Sequence, residues 1–446
     1  MRAVTTTTTT TATRGRAVTI STTSTTASRA RGARARRCGA ETRASVGARS
    51  NNVEASMDEE DEEEGARARG ACTRRLAVGV AALAVTTGAP RRARAGGGGG
   101  KTVPKAPRAL ARATLRPSRV IKGNWQLSGG HAGDRATDRT RGEDAVADFA
   151  AFVDAGVTTF DTGPEACGYG PSETVIGEYL RTAHGRAHAR DIDVFTKLCC
   201  VGREQANMTK EWVEANVERP RRRLGVEKIS MVQMYWNDYG RRGYVDAALY
   251  LTDLKHQGKI GAVSLTNFDT KRMKEMVDAG AEISTNQIQY SLLDRRPEKV
   301  MTAYCRDTGI GLLPYGVVAG GLLSDRYLNV RPEKVVTNTY SLQKYASVIG
   351  QVGGYEWYQK LLRTLRAVGD KHDGATVANV ASKWVLDSPV VPAIIVGARN
   401  ANHVADHVAL FDFELDASDR AAIAAVLAEG RQSTEDAYTW ERGGAW

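Results

Sequence analysis

Two apolar runs of this chain end in ionisable side chains, Phe160-Asp161-Thr162 and Phe195-Thr196-Lys197. A charged group buried at a strand end is costly unless paired, so Asp161 and Lys197 suggest a mutual pair. Such a pair either stabilises the interior or handles protons. Shortly after Asp161 comes Tyr169, in the run Cys167-Gly168-Tyr169-Gly170-Pro171-Ser172-Glu173. Glycine and proline mark a loop there, and Ser172 suits the cap of a following helix. A tyrosine hydroxyl beside a lysine ammonium has its pKa lowered toward proton exchange near neutrality. A loop tyrosine can equally serve packing alone.

These groups need strands to carry them. Short apolar runs predict strands at Arg119–Gly123, Thr158–Thr162, Ile192–Leu198, Ile229–Trp236, Ile260–Thr266, Ile283–Gln289, Gly309–Gly316 and Val391–Ala398. Amphipathic spacing predicts helices over Glu143–Ala155, Ser172–Thr182, Thr209–Arg223, Val245–Gln257 and Pro297–Asp307, the last with proline at its first position. Gly156, Gly225 and Gly280 stand where left-handed helix terminators are needed. Eight strands alternating with helices over one long segment point to an α/β protein, a parallel (β/α)8 barrel. Its reactive groups would gather at the C-terminal strand ends. No GxGxxG follows the first strand, which counts against an open dinucleotide-binding sheet.

Six segments in order resemble the aldo-keto reductase family over about Arg119 to Gly430. AGVTTFDTGPEACGYGPSETVIGEYL is similar to the signature around the catalytic Asp and Tyr, and VFTKL to the catalytic-Lys strand. GKIGAVSLTNFD resembles the segment that holds the nicotinamide carboxamide, through Thr266 and Asn267. TNQIQYSLLDRR places the family's nicotinamide-binding glutamine at Gln287. GIGLLPYGVVAGGLLSDRY resembles the segment whose tyrosine, here Tyr315, stacks on the nicotinamide. PAIIVGARNANHVADHVALFDFEL resembles the closing adenosine-phosphate segment. The resemblance implies an NADP(H)-dependent reductase of an aldehyde or ketone, with Tyr169 donating the proton and Lys197, paired with Asp161, lowering its pKa. It also implies that Gly316, Val317, Ala319, Gly321 and Leu322 approach the pyrophosphate. Val396, Gly397, Arg399 and His403 would then face the adenosine phosphate, and Asp406 or His407 the adenine. Arg399 could also be a solvated loop charge.

Two departures from the family pattern stand out. The catalytic tyrosine's usual place is taken by Ala166, so a longer loop must present Tyr169. The strand-four histidine is replaced by Tyr235, in Val232-Gln233-Met234-Tyr235-Trp236. Either Tyr235 or His131, in the loop after strand one, would supply the missing polar contact. Trp125 and Trp236 are expected either to wall the substrate pocket or to pack within the barrel. Two other readings stand beside an active reductase. One is a catalytically weak NADPH-binding relative acting as a redox sensor. The other is a Schiff-base aldolase using Lys197, which leaves Thr266, Asn267, Gln287 and Tyr315 without a purpose.

Composition bounds the rest. Residues 1–100 hold 17 Arg, no Lys and nine acidic residues, a net of +8 out of the chain's +11, so residues 101–446 keep only +3. That removes the main argument for nucleic-acid binding. Residues 1–95 read as a targeting leader. Its Thr- and Ser-rich start, without an acidic residue before Glu41, matches a chloroplast transit peptide. Arg74-Arg75, the apolar run Leu76–Val85 and Ala93-Arg94-Ala95 resemble a twin-arginine export signal. That would add a thylakoid-lumen address to a stromal one. Residues 96–117 read as a flexible linker, 118–430 as the barrel and 431–446 as a tail. Six scattered cysteines suit no disulfide scaffold and no zinc spacing, and read as small buried or reduced thiols. No apolar run is long enough for a membrane span. The expected partner is a small carbonyl compound, with no metal.

Overall fold

The computed structural model describes residues 101–128, 140–206 and 208–446. The leader and its two targeting signals, residues 96–100 and His131 lie outside them. Eight parallel strands close into a barrel in sequence order. They are β1 (Val120–Gly123), β2 (Thr159–Asp161), β3 (Asp193–Cys200), β4 (Met231–Trp236), β5 (Val263–Thr266), β6 (Ile283–Gln289), β7 (Gly311–Tyr315) and β8 (Ile394–Gly397).

Helices α1 (Gly142–Asp154), α2 (Ser172–Arg181), α3 (Ala183–Ala187), α4 (Lys210–Leu224), α5 (Tyr244–His256), α6 (Thr270–Asp278) and α7 (Met301–Thr308) connect the first seven strands. Gly156, Gly225 and Gly280 follow α1, α4 and α6 with φ of 83°, 70° and 99°, as the helix-stop reading requires. Pro297 falls in a 3-10 turn, Arg296–Glu298, and α7 starts only at Met301. Between β7 and β8 the chain inserts α8 (Tyr340–Val352), α9 (Gly354–Lys371) and α10 (Val377–Leu386). Together with α12 (Ala417–Glu429), which follows the short α11 (Val404–Ala409), they form a second apolar core around Trp357, Leu361 and Leu365.

The lower barrel interior is filled by Ile121, Phe195, Met231, Leu313 and Ile395. Leu110 joins this cluster from the segment expected to be a linker. Residues 101–118 in fact form a hairpin under the barrel, held by Ala106 N–H to Pro117 O at 2.7 Å and Leu110 N–H to Leu115 O at 2.8 Å. Its proline and arginine content suggested a tether, but Val103, Ala106 and Leu110 are buried apolar residues. The tail is also packed: Trp446 lies under the Arg296 guanidinium, 4.6 Å from its ring centroid. Arg442 donates to the carbonyls of Trp236, Asn237 and Asn267 at 2.8, 2.7 and 3.0 Å.

Candidate active site

Side chains alternate in and out along each strand, so Asp161, Lys197, Gln233 and Gln287 share the upper interior. The expected pair forms: Lys197 Nζ donates to Asp161 Oδ1 at 2.8 Å and to the Thr162 carbonyl at 2.9 Å. The same Oδ1 accepts from Gln233 Nε2 and Gln287 Nε2, both at 2.7 Å, and Gln287 also donates to Gln233 Oε1. Sequence reasoning passed over Gln233. Its signal was present in the alternation of β4, which sends Gln233 inward in register with Lys197.

Tyr169 reaches this cluster across the longer loop. Its hydroxyl donates to Asp161 Oδ2 at 3.1 Å, and Lys197 Nζ sits 4.4 Å from the ring centroid. The ring rests against Gly163, where a Cβ would meet Tyr169 Cδ2 at 2.8 Å. The expected lowering of the tyrosine pKa is not what this geometry gives. Burial first, then the Asp161 charge and hydrogen bond, hold the phenol well above the usual tyrosine range. The Lys197 ammonium faces the ring rather than the hydroxyl, and burial lowers its own pKa against the pull of Asp161. Ser172 does not cap α2 through its hydroxyl, which instead bonds Thr162 Oγ1 at 2.6 Å. The loop carries a further tie: Cys167 is disulfide-bonded to Cys199 at the end of β3, with Cα atoms 5.9 Å apart. That corrects the reading of all the core cysteines as thiols; Cys200 and Cys305 remain so, both buried. Adjacent Cys199 and Cys200 do face opposite sides, Cys199 toward the mouth and Cys200 into the surrounding core.

One continuous cavity of about 1570 Å³ runs from this cluster across the mouth. Trp125, Tyr235, Thr266, Asn267, Gln287 and Tyr315 line one end. Tyr315 donates to Asn267 Oδ1 at 2.9 Å, and Thr266 Oγ1 lies 3.5 Å from Gln287 Oε1. Asn267 has φ 61°, which turns the chain sharply after β5. Gly316, Val317 and Gly321 line the middle. Ala319 and Leu322 do not: both are buried, and the Leu322 carbonyl accepts from Tyr358 at 2.5 Å while its N–H donates to Ala319 O. Tight packing of this loop on the inserted helices draws those two away from the cavity. Val396, Gly397, Arg399, His403, Asp406 and His407 line the far end.

Trp236 is not a pocket residue. Inward Gln233 and Tyr235 force it outward, where it is fully buried and donates to the carbonyls of Asp238 and Arg241 at 2.8 and 2.9 Å. Tyr235 stays at the mouth and shares a hydrogen bond with Tyr438, whose phenol burial pushes up. Lys344 on α8 also lines the mouth, 5.5 Å from the Tyr315 ring centroid and 5.7 Å from that of Tyr438. Nothing in the local sequence marked Lys344 or Tyr438, because both arrive from elements outside the β/α repeat.

A dinucleotide fits this cavity on its own terms. The volume exceeds the roughly 300–1,000 Å³ usual for small-ligand pockets. Gly316 has φ 73° where the loop bends beneath Tyr345. At the far end the buried His407 Nδ1 lacks a hydrogen-bond partner among the described residues. Burial lowers the His407 pKa to about 4, so its ring stays neutral and can meet an uncharged heterocycle.

A model of the Aldo/keto reductase family matches residues 119–428. The NADH-specific methylglyoxal reductase of Escherichia coli is 26% identical over 322 residues, 68% of this chain and 92% of the relative. The aldo-keto reductase YhdN of Bacillus subtilis is 25% identical, covering 71% of this chain and 92% of the relative. Among solved structures, the glycerol dehydrogenase of Gluconobacter oxydans superposes with a TM-score of 0.56 at 26% identity, over 73% of this chain and 98% of that one. An aldo/keto reductase of Klebsiella pneumoniae in complex with NADP and acetate shares the fold, with a TM-score of 0.54 at 20% identity, over 74% of this chain and 98% of that one.

Proposed function

The chain belongs to the aldo/keto reductase family, and on that premise we propose that it reduces an aldehyde or ketone to an alcohol with NADPH. The observation that carries this reading is the Asp161–Lys197–Tyr169 cluster lining a cavity of about 1570 Å³, roomy enough for a dinucleotide. When bound, the cofactor supplies the hydride. The chain's own part is to hold the carbonyl and deliver a proton to its oxygen. Tyr169, kept protonated by burial and by Asp161, is the proton-loaded form that reduction consumes. Lys197, Gln233 and Gln287 fix the Asp161 carboxylate and so fix the tyrosine. Tyr235, beside Cys199 in the strand register, takes the place of the family's histidine as a hydrogen-bonding group at the mouth. Thr266, Asn267, Gln287 and Tyr315 would hold the nicotinamide end, and Gly316, Val317 and Gly321 the pyrophosphate.

NADPH rather than NADH is favoured by Arg399 and His403 at the far end of the cavity, although the Escherichia coli relative is NADH-specific by name. A charge-assisted hydrogen bond contributes about 1.5–3 kcal/mol. Arg399→Ala should therefore raise KM for NADPH about 10- to 100-fold and barely change that for NADH. The reading as a whole is tested by turnover of a panel of aldehydes and ketones. Tyr169→Phe should lower kcat by about 10²–10⁴-fold while NADPH still quenches protein fluorescence. Full activity in that variant would remove Tyr169 as the proton donor.

A further inference from the structure

At the end of the barrel opposite the mouth, three side chains from two helices converge on the outer surface. Asp154 ends α1, while His184 and His188 stand four apart along α3 and its C-terminal cap. One ligand-type atom from each lies within 4.8 Å of the others. His184 Nε2 is 3.0 Å from Asp154 Oδ1, and the two imidazole rings lie 4.6 Å apart. The remaining nitrogen of His184, Nδ1, is 2.9 Å from the Tyr179 hydroxyl. Tyr179 is 1% exposed and stacks on Phe149 at 5.3 Å, so it is a fixed partner.

We propose that Asp154, His184 and His188 form a zinc(II)-class metal site, with Tyr179 orienting His184 from behind. Two imidazoles and a carboxylate are a borderline-soft nitrogen and oxygen set that suits zinc, and a three-ligand set leaves a fourth position for water. A ring hydrogen-bonded through its distal nitrogen is the usual arrangement behind a metal-bound histidine. The spacing is close to what tetrahedral coordination needs. Bonds of about 2.0–2.1 Å put adjacent ligand atoms about 3.3 Å apart, against 3.0 Å for the His184–Asp154 contact. His188 must close in by a rotamer adjustment. Gly185 makes the cluster possible, because a Cβ there would lie 2.2 Å from the Tyr179 carbonyl and push α3 off α2. The bound ion would clamp α1 to α3 on the face where barrels are stabilised rather than where they react.

The test uses the full chain and ZnCl2, with CoCl2 as a spectroscopic stand-in. The expected result is one zinc per chain by equilibrium dialysis, with a melting temperature that rises with zinc and returns with chelator. Affinity should fall at least tenfold in His188→Asn and in Asp154→Asn, and about 10- to 100-fold in Tyr179→Phe. Reductase turnover in the His188→Asn protein should match the parent. Cobalt should show visible ligand-field bands without sulfur-to-metal charge transfer. Zinc uptake that survives a His184→Asn, His188→Asn double substitution would overturn the site, as would thiolate charge-transfer bands, which would assign the metal to cysteine. Absence of zinc-dependent melting would show the cluster to be a surface histidine–aspartate pair.

Discussion

Replacing Gly163 by alanine asks whether Tyr169 acts from one fixed position. A Cβ there would lie 2.8 Å from Tyr169 Cδ2 and 3.1 Å from Cε2, where carbons at rest stay about 3.5–4.0 Å apart. The ring must retreat by about 0.7 Å or more. The backbone at Gly163 is not in the left-handed region, so alanine brings no strain of its own. The Tyr169 hydroxyl is 3.1 Å from Asp161 Oδ2. A retreat along that axis would open the contact to about 3.8 Å, beyond hydrogen-bond reach. Misplacing a reacting group by about 1 Å can cost about 100-fold, so kcat should fall about 10- to 100-fold. Overpacking costs about 1–3 kcal/mol, so turnover is measured well below the melting temperature, with NADPH affinity followed by fluorescence. Unchanged affinity with the expected loss places the effect on proton delivery. Turnover within twofold of the parent, in a preparation where Tyr169→Phe is inactive, would refute the argument that Gly163 sets the tyrosine's position.

Three further outcomes follow from the same geometry. Gln233→Leu removes a 2.7 Å bond to Asp161 and the 2.9 Å bond from Gln287, and should lower urea-measured stability by about 2 kcal/mol; an unchanged midpoint would show that Gln287 and Lys197 suffice. Reducing the Cys167–Cys199 bond with dithiothreitol frees the loop that carries Tyr169 from β3. It should lower kcat by up to about tenfold, and Cys199→Ser should reproduce the reduced form under oxidising conditions. His407 is 7% exposed, and its pKa falls from 6.5 to about 4 on folding. The unfolded chain therefore binds the extra proton between those values, and stability must fall as pH drops from 6.5 toward 4. The loss is about 3 kcal/mol at about 1.36 kcal/mol per unit, and His407→Phe should flatten that part of the stability–pH curve.

The strands were legible because each is a short apolar run closed by glycine, proline or a polar residue. The run Ile283–Gln289 coincides with β6, while the run from Ile260 begins before β5 starts at Val263. Asp161 and Lys197 were legible for the same reason, since a charge ending an apolar strand asks for a partner. Gln233 was hidden by its neutrality: an amide inside a strand announces nothing until the register sets it beside Lys197. Trp236 was misplaced because a large ring at a strand end reads as pocket wall, whereas the parity of β4 turns it outward. The hairpin 101–118 was masked by arginine and proline, and the mouth contacts of Lys344 and Tyr438 depend on long-range packing that no local pattern encodes. The tyrosine's raised pKa could not have been read at all, since it depends on how deeply the loop buries the ring and on its hydroxyl meeting Asp161.

The segment from Asp436 to Trp446 helps wall the mouth although it belongs to no strand–helix unit. Its anchor, Arg442, is held by three main-chain carbonyls and by the hydroxyl and ring of Tyr239. Carbonyls are present whatever residues occupy Trp236, Asn237 and Asn267, so the anchorage tolerates substitution at those three positions as long as Tyr239 stays. Mouth shape can thus drift, or be exchanged between relatives by recombination, through Tyr438 while Asp161, Lys197 and Tyr169 stay untouched. In directed evolution the position to vary is therefore Tyr438 rather than the whole stretch, because Glu441 pairs with the buried Arg296 and its loss would leave that charge without its partner.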